Sequence, residues 1–90
     1  MKNYRDLKIW EHGIDIVKQI CVLAAQLPST EKLGLKSQIT RATVSIPSNI
    51  AEGCSRNNDI EFKHFLEIAV GSFFEVHTTY NYTKIKFYQT

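Results

Sequence analysis

Ninety residues make one domain, near the size below which a single core struggles to hold a fold. An apolar fraction of 43% with 22% charged residues excludes a disordered chain, and no apolar run approaches the length of a membrane span. A net charge of +2 permits contact with nucleic acid without arguing for it, and two cysteines form neither a zinc pattern nor a disulfide framework.

The first predicted helix runs from about Asp6 to Leu27. Leu7, Trp10, Ile14, Val17, Cys21 and Ala24 recur by three and four, and Ile9, Ile16, Ile20, Leu23 and Leu27 fill a neighbouring stripe. Lys8, Glu11, Asp15, Lys18 and Gln19 share the narrow polar remainder. A helix with so wide an apolar face requires two or more neighbours, one of which could belong to another subunit. Cys21 falls on the apolar stripe, so a buried thiol and a reducing, cytoplasmic location are expected. Pro28, Ser29 and Thr30 end this helix and cap the next, with Gly34 leaving the start of the second helix either at Thr30 or after the glycine.

In the second helix, Leu35, Ile39, Ala42, Ile46 and Ile50 stack on one side. Gln38, Arg41, Ser45, Ser48 and Glu52 form an adjacent polar stripe, and Leu33, Val44 and Ala51 lie beyond it as a second apolar patch. A polar stripe with apolar ground on both sides is expected to face another helix or subunit, where its groups must find partners. Pro47 lies inside this pattern and should kink or interrupt the helix, with Ser45, Ser48 and Asn49 satisfying the freed backbone groups. That structural reading is preferred over a ligand contact at the kink. Arg41 and Glu52 lie about three turns apart, too far to pair on a straight helix, so an ion pair to another helix or subunit is expected, with Asn49 nearby.

Residues 53–58 form the second connection, and Asn58 with Glu61 has the form of a capping box. The third helix carries Phe62, Leu66, Ala69, Phe73, Val76 and Tyr80 by three and four, widened by Phe65. Glu61, His64, Glu67, Gly71, Glu75 and Thr78 make its solvent face. From Tyr80 onward a helical extension is favoured over a short strand, since Phe87 keeps the helical register. Three antiparallel amphipathic helices with short turns predict an all-α, up-down bundle.

Catalytic and metal patterns do not assemble. Glu61 and His64 match one Glu-x-x-His element of a di-iron bundle, which needs two, and the phenylalanine stripe turns this one outward. His12 and His77 have no ligand partner at metal-site spacing. No histidine or lysine lies at helical spacing to activate Ser45, so no enzyme, cofactor or small-molecule substrate is expected. Lys32 and Lys36 on the outward side of the second helix, with Arg56 and Lys63 after it, are the candidate nucleic-acid contacts. Lys84 and Lys86 beside Tyr82, Phe87 and Tyr88 could also hold a nucleic-acid strand, against the plainer reading of a solvated face with an apolar tail that packs.

Arg41-Ala42, Ser45-Ile46-Pro47, Asn49-Ile50-Ala51-Glu52-Gly53 and Arg56 resemble the signature of one family, the small four-helix-bundle proteins encoded in intervening sequences of bacterial large-subunit ribosomal RNA genes. Asp6-Leu7, Trp10, Leu27-Pro28, Glu31, Gly34-Leu35 and Gln38 fit the same pattern, as do Glu61-Phe62, Phe65-Leu66, Ile68-Ala69, Gly71-Ser72 and Glu75. The resemblance covers about Asp6 to Glu75. It implies a non-catalytic bundle with Arg41, Ser45, Pro47, Asn49, Glu52 and Gly53 as its structural or interface motif. The family continues into a fourth helix, which the fifteen residues after Glu75 do not resemble and cannot supply. A truncated member, or a bundle completed by a partner, is therefore expected. A related bundle, the accessory variability determinant of diversity-generating retroelements, forms a pentamer and works with nucleic acid. By analogy a homo-oligomer binding structured RNA or DNA is expected, the alternative being an assembly module that binds another protein through the apolar surface a fourth helix would cover.

Overall fold

The computed structural model describes residues 3–28 and 34–88, and among them it is all-α, with no strand. A 3-10 turn, Tyr4–Asp6, leads into α1 (Lys8–Ala25). It is followed by α2 (Leu35–Cys54) and α3 (Asp59–Thr83), and α3 continues as a π-helical turn, Lys84–Tyr88. The body is elongated, 47 × 21 × 19 Å.

Local chemistry sets the element ends. Asn3 Oδ1 accepts from Arg5 N and caps the 3-10 turn, which separates Asp6 from α1 proper. Helix α1 stops before Pro28, whose ring disfavours helical geometry in the residue ahead of it. Helix α2 begins only after Gly34, which serves as its N-cap; the capping expected of Thr30 lies outside the described residues. At α3 the N-cap half of the predicted capping box is present, and the reciprocal bond runs from the Asn58 side chain instead of its backbone N–H. Glu61 N donates to Asn58 Oδ1 at 2.8 Å, and Asn58 Nδ2 donates to Glu61 Oε2 at 2.7 Å. The tail is helical as favoured, but its last turn is π rather than α.

Helix α2 is the centre of the fold. Leu35, Ile39, Ala42, Ile46 and Ile50 are all buried, Ile39 completely, joined by Ile20 and Ala24 of α1 and Ala69 and Val76 of α3. Each isoleucine buried this way stabilises the fold by roughly 1.5–3 kcal/mol. Both neighbours pack on α2, and the backbones of α1 and α3 stay apart, their side chains joining over α2 in the one core cluster.

Two close approaches fix the antiparallel register. A methyl group added at Gly13 would stand 3.3 Å from Ile46 Cγ2 and 3.5 Å from the Pro47 ring, so the α1–α2 crossing depends on that glycine. At Gly53 an added methyl would meet Phe65 Cβ at 3.0 Å and Phe62 Cδ1 at 3.2 Å, where α2 turns back into α3. Pro47 does not interrupt α2. It is buried in the crossing, and the helix runs through it.

Cys21 corrects the sequence expectation. It is exposed, and Cys54 is the buried thiol. Along the stripe Trp10, Ile14, Val17 and Cys21, the first three are half-buried against α2 and Tyr4, and burial gives out at Cys21. The argument for a reducing compartment that rested on a buried Cys21 goes with it. No described helix is long and apolar enough to cross a membrane.

Candidate functional site

The polar stripe of α2 divides into parts with different partners. Ser45 faces α3, and its Oγ lies 2.8 Å from Ser72 Oγ. Asn49 Nδ2 donates to both Ser45 O and Ser45 Oγ, each at 2.8 Å. The Asn49 carboxamide therefore bonds the Ser45 carbonyl and not the Thr43 carbonyl that Pro47 leaves without its backbone donor. Thr43 is buried under this turn and donates its hydroxyl to Ile39 O. Among the described residues no buried side-chain polar atom lacks a partner.

Glu52 and Arg41 do not pair across elements. Glu52 Oε1 accepts from Arg56 Nη2 at 2.8 Å, one turn further on, and the Arg56 guanidinium lies 4.9 Å from the centroid of the Phe65 ring. The pair is half exposed, so its contribution is only about 0.3–0.5 kcal/mol. Arg41 is exposed, and no carboxylate of the described residues stands against it. Removing Arg41 therefore strands no carboxylate among the described residues.

The basic residues singled out from the sequence are not gathered into one site. Arg56 and Lys63 lie at the α2–α3 turn, with Asp59 and Glu61 between them in sequence. Lys36 is half-buried at the opposite end of α2, about 30 Å away by helix rise. Lys32 lies outside the described residues. His12, His64 and His77 are exposed, and no three metal-ligating side chains converge among the described residues.

One apolar feature is the space that α1 and α3 leave open above α2. Ile46 and Ile50 form its floor. Ile9, Gly13 and Ile16 of α1 form one wall, and Leu66, Ala69 and Phe73 of α3 the other, enclosing a groove of about 340 Å³. Phe73, expected in the core, is 44% exposed as part of that wall. Its ring stacks with His77 and meets Phe74 edge-on. Val70, 54% exposed, belongs to the same wall, and the apolar surface continues onto the outer flank of α3 at Phe74, which is 63% exposed. A second apolar hollow lies on the other side of α1, between Trp10, Ile14 and Val17 and the Val44, Pro47 and Ala51 of α2.

A helical bundle carrying this α2 motif and this open groove matches a family model, described as 23S rRNA-intervening sequence protein, over residues 5–89. The chain belongs to the 23S rRNA-intervening sequence protein family. No curated protein matches it. The family match extends well beyond Glu75, where the sequence pattern alone lost the resemblance, so the π-helical tail falls within the matched region.

Within this family member, sequence reasoning missed three groups. Gly13 carried a signal, since a lone glycine inside an Ile/Val-rich helix marks a close approach. Val70 and Phe74 broke the three-and-four stripe, and read as noise what is a second apolar flank. Thr43, Thr79 and Thr83 are polar by composition yet buried. The Thr43 and Thr83 hydroxyls return to the carbonyls of Ile39 and Thr79, so these threonines pack like hydrocarbons.

Proposed function

We propose that this chain is a non-catalytic assembly module that self-associates, with the outer flank of α3 from a second copy seated in the α1–α3 groove. The observation that carries the reading is that one chain bears both halves of a complementary contact. It has an apolar groove and, on the outer flank of α3, the exposed apolar side chains of Phe74 and Ile85, about three helical turns apart. Burial of these side chains is the main driving force available to it. Such a contact joins two different surfaces and so can close a ring, the arrangement expected by analogy with the related pentamer.

The absence of chemistry is part of the proposal. Ser45 is held by Asn49 and Ser72, with no base against it. A second function, binding of nucleic acid, draws its support from the family description, which names 23S rRNA, and a net charge of +2 permits it.

The test is sedimentation velocity over a concentration series, comparing the wild type with Phe74→Glu. Phe74 is exposed, so the variant folds, and its carboxylate would have to be desolvated in the groove. The expected result is a concentration-dependent oligomer that the variant shifts to monomer. A wild type that remains monomeric throughout contradicts self-association. An oligomer unchanged by Phe74→Glu contradicts this contact. A stoichiometric complex with an unrelated helical protein, in place of self-association, would support the heterotypic alternative.

A further inference from the structure

Charge is distributed unevenly along the bundle. The antiparallel register set by the Ser45–Ser72 contact places Val76–Thr83 of α3 alongside Gly34–Arg41 of α2, and the π turn Lys84–Tyr88 continues past Gly34 at the same end. The Gly13–Ile46 crossing likewise brings the C-terminal turns of α1 to the same end. The described residues of this end, 20–28, 34–41 and 76–88, contain Lys36, Arg41, Lys84 and Lys86 and no Asp or Glu. The whole chain is only +2, so the remainder is net acidic. At the other end Arg56 is occupied by Glu52, and Asp59 and Glu61 precede Lys63. The charge expected of a polyanion site therefore lies at the end opposite Arg56 and Lys63.

Aromatic surface accompanies that charge. Lys84 Nζ lies 5.6 Å from the Tyr80 ring centroid and Lys86 Nζ 5.9 Å from that of Tyr82. Tyr82 is 52% exposed. The negative end of the α3 dipole accounts for lysines in its last turn. It does not account for the lack of acids on the facing turns of α2 or for an exposed tyrosine under an ammonium. A phosphate drawn to either lysine brings its own base within reach of an aromatic face, the pairing by which proteins hold unpaired strands.

From this juxtaposition we infer that the α1 C-terminal, α2 N-terminal and α3 C-terminal end binds a single-stranded polynucleotide. Phosphates lie on Lys84, Lys86 and Lys36, and a base stacks on Tyr82. The inference rests on the nucleic-acid part of the proposed function and assigns it a site. It moves that site away from Arg56 and Lys63.

The experiment is fluorescence anisotropy of a short labelled single-stranded RNA, from low to near-physiological salt. The proteins compared are the wild type, Lys84→Ala/Lys86→Ala, Tyr82→Ala, Tyr82→Phe and Arg56→Ala/Lys63→Ala, each checked for helical content. The wild type is expected to bind with an affinity that falls with salt. The Lys84/Lys86 variant should lose at least tenfold, with the slope of log K on log salt reduced by about 1.4. Tyr82→Ala should lose roughly fivefold to a hundredfold at unchanged slope, while Tyr82→Phe and the Arg56/Lys63 variant bind like wild type. Binding lost in Arg56→Ala/Lys63→Ala but kept in Lys84→Ala/Lys86→Ala overturns this site while leaving nucleic-acid binding in place. Affinity indifferent to Tyr82→Ala, with duplex RNA or anionic vesicles bound equally well, overturns it as non-specific polyanion attraction. No binding at the lowest salt overturns both.

Discussion

Two glycines on facing helices show how position decides what a residue is worth. Gly53 is closed in by Phe65 Cβ and by the backbone carbonyl of Phe62 at 3.3 Å, so a methyl there must push α2 and α3 apart. Gly71 lies on the exposed face of α3, where nothing stands within 4 Å of an added methyl. Gly53→Ala is therefore expected to destabilise by about 1–3 kcal/mol. Gly71→Ala should stabilise by about 0.5–1 kcal/mol, because alanine loses less backbone entropy in a helix. Thermal unfolding at one fixed protein concentration checks both. Opposite signs confirm the packing difference, and a destabilising Gly71→Ala in the oligomer alone would show that this face is covered on assembly. The same contrast marks what a sequence can disclose at this scale. Gly53 could be placed in a motif, but only the approach of Phe62 and Phe65 gives the reason it is glycine.

At the scale of elements, the helices and the N-cap of α3 were legible because apolar spacing and the Asn58–Glu61 pair are local properties. The core side of α2 was read correctly at all five positions. What could not be read was which apolar stripes find a neighbour. Cys21 and Phe73 sit on good helical stripes yet are exposed. A stripe reports direction and not distance: within the chain Glu52 pairs with Arg56 in the next turn, and not with another helix. This arrangement predicts two distinct thiols. Under native conditions Cys21 should react with a disulfide reagent at close to the rate of a small-molecule thiol, and Cys54 only through opening of the α2–α3 turn, at least a hundredfold more slowly. Equal, fast reaction of both would mean that the Cys54 environment is not packed as described; slow reaction of Cys21 in the oligomer would place its hollow in an interface.

For the whole molecule, the open groove is the property that sets the rest. Three helices arranged as a central element with two flanks leave apolar surface on both sides of α1, and a chain of this size has little core to spare. A second copy covering the groove would convert that exposed surface into core and make stability rise with concentration. One experiment reaches the central claim most directly: isotope-filtered NMR on a mixture of methyl-labelled and unlabelled protein. Cross-peaks from Ile9 and Ile16 methyl groups of one copy to the Phe74 ring of another are the predicted result. An oligomer that gives no such intermolecular contacts, or a protein that stays monomeric at the concentrations NMR requires, would contradict the account.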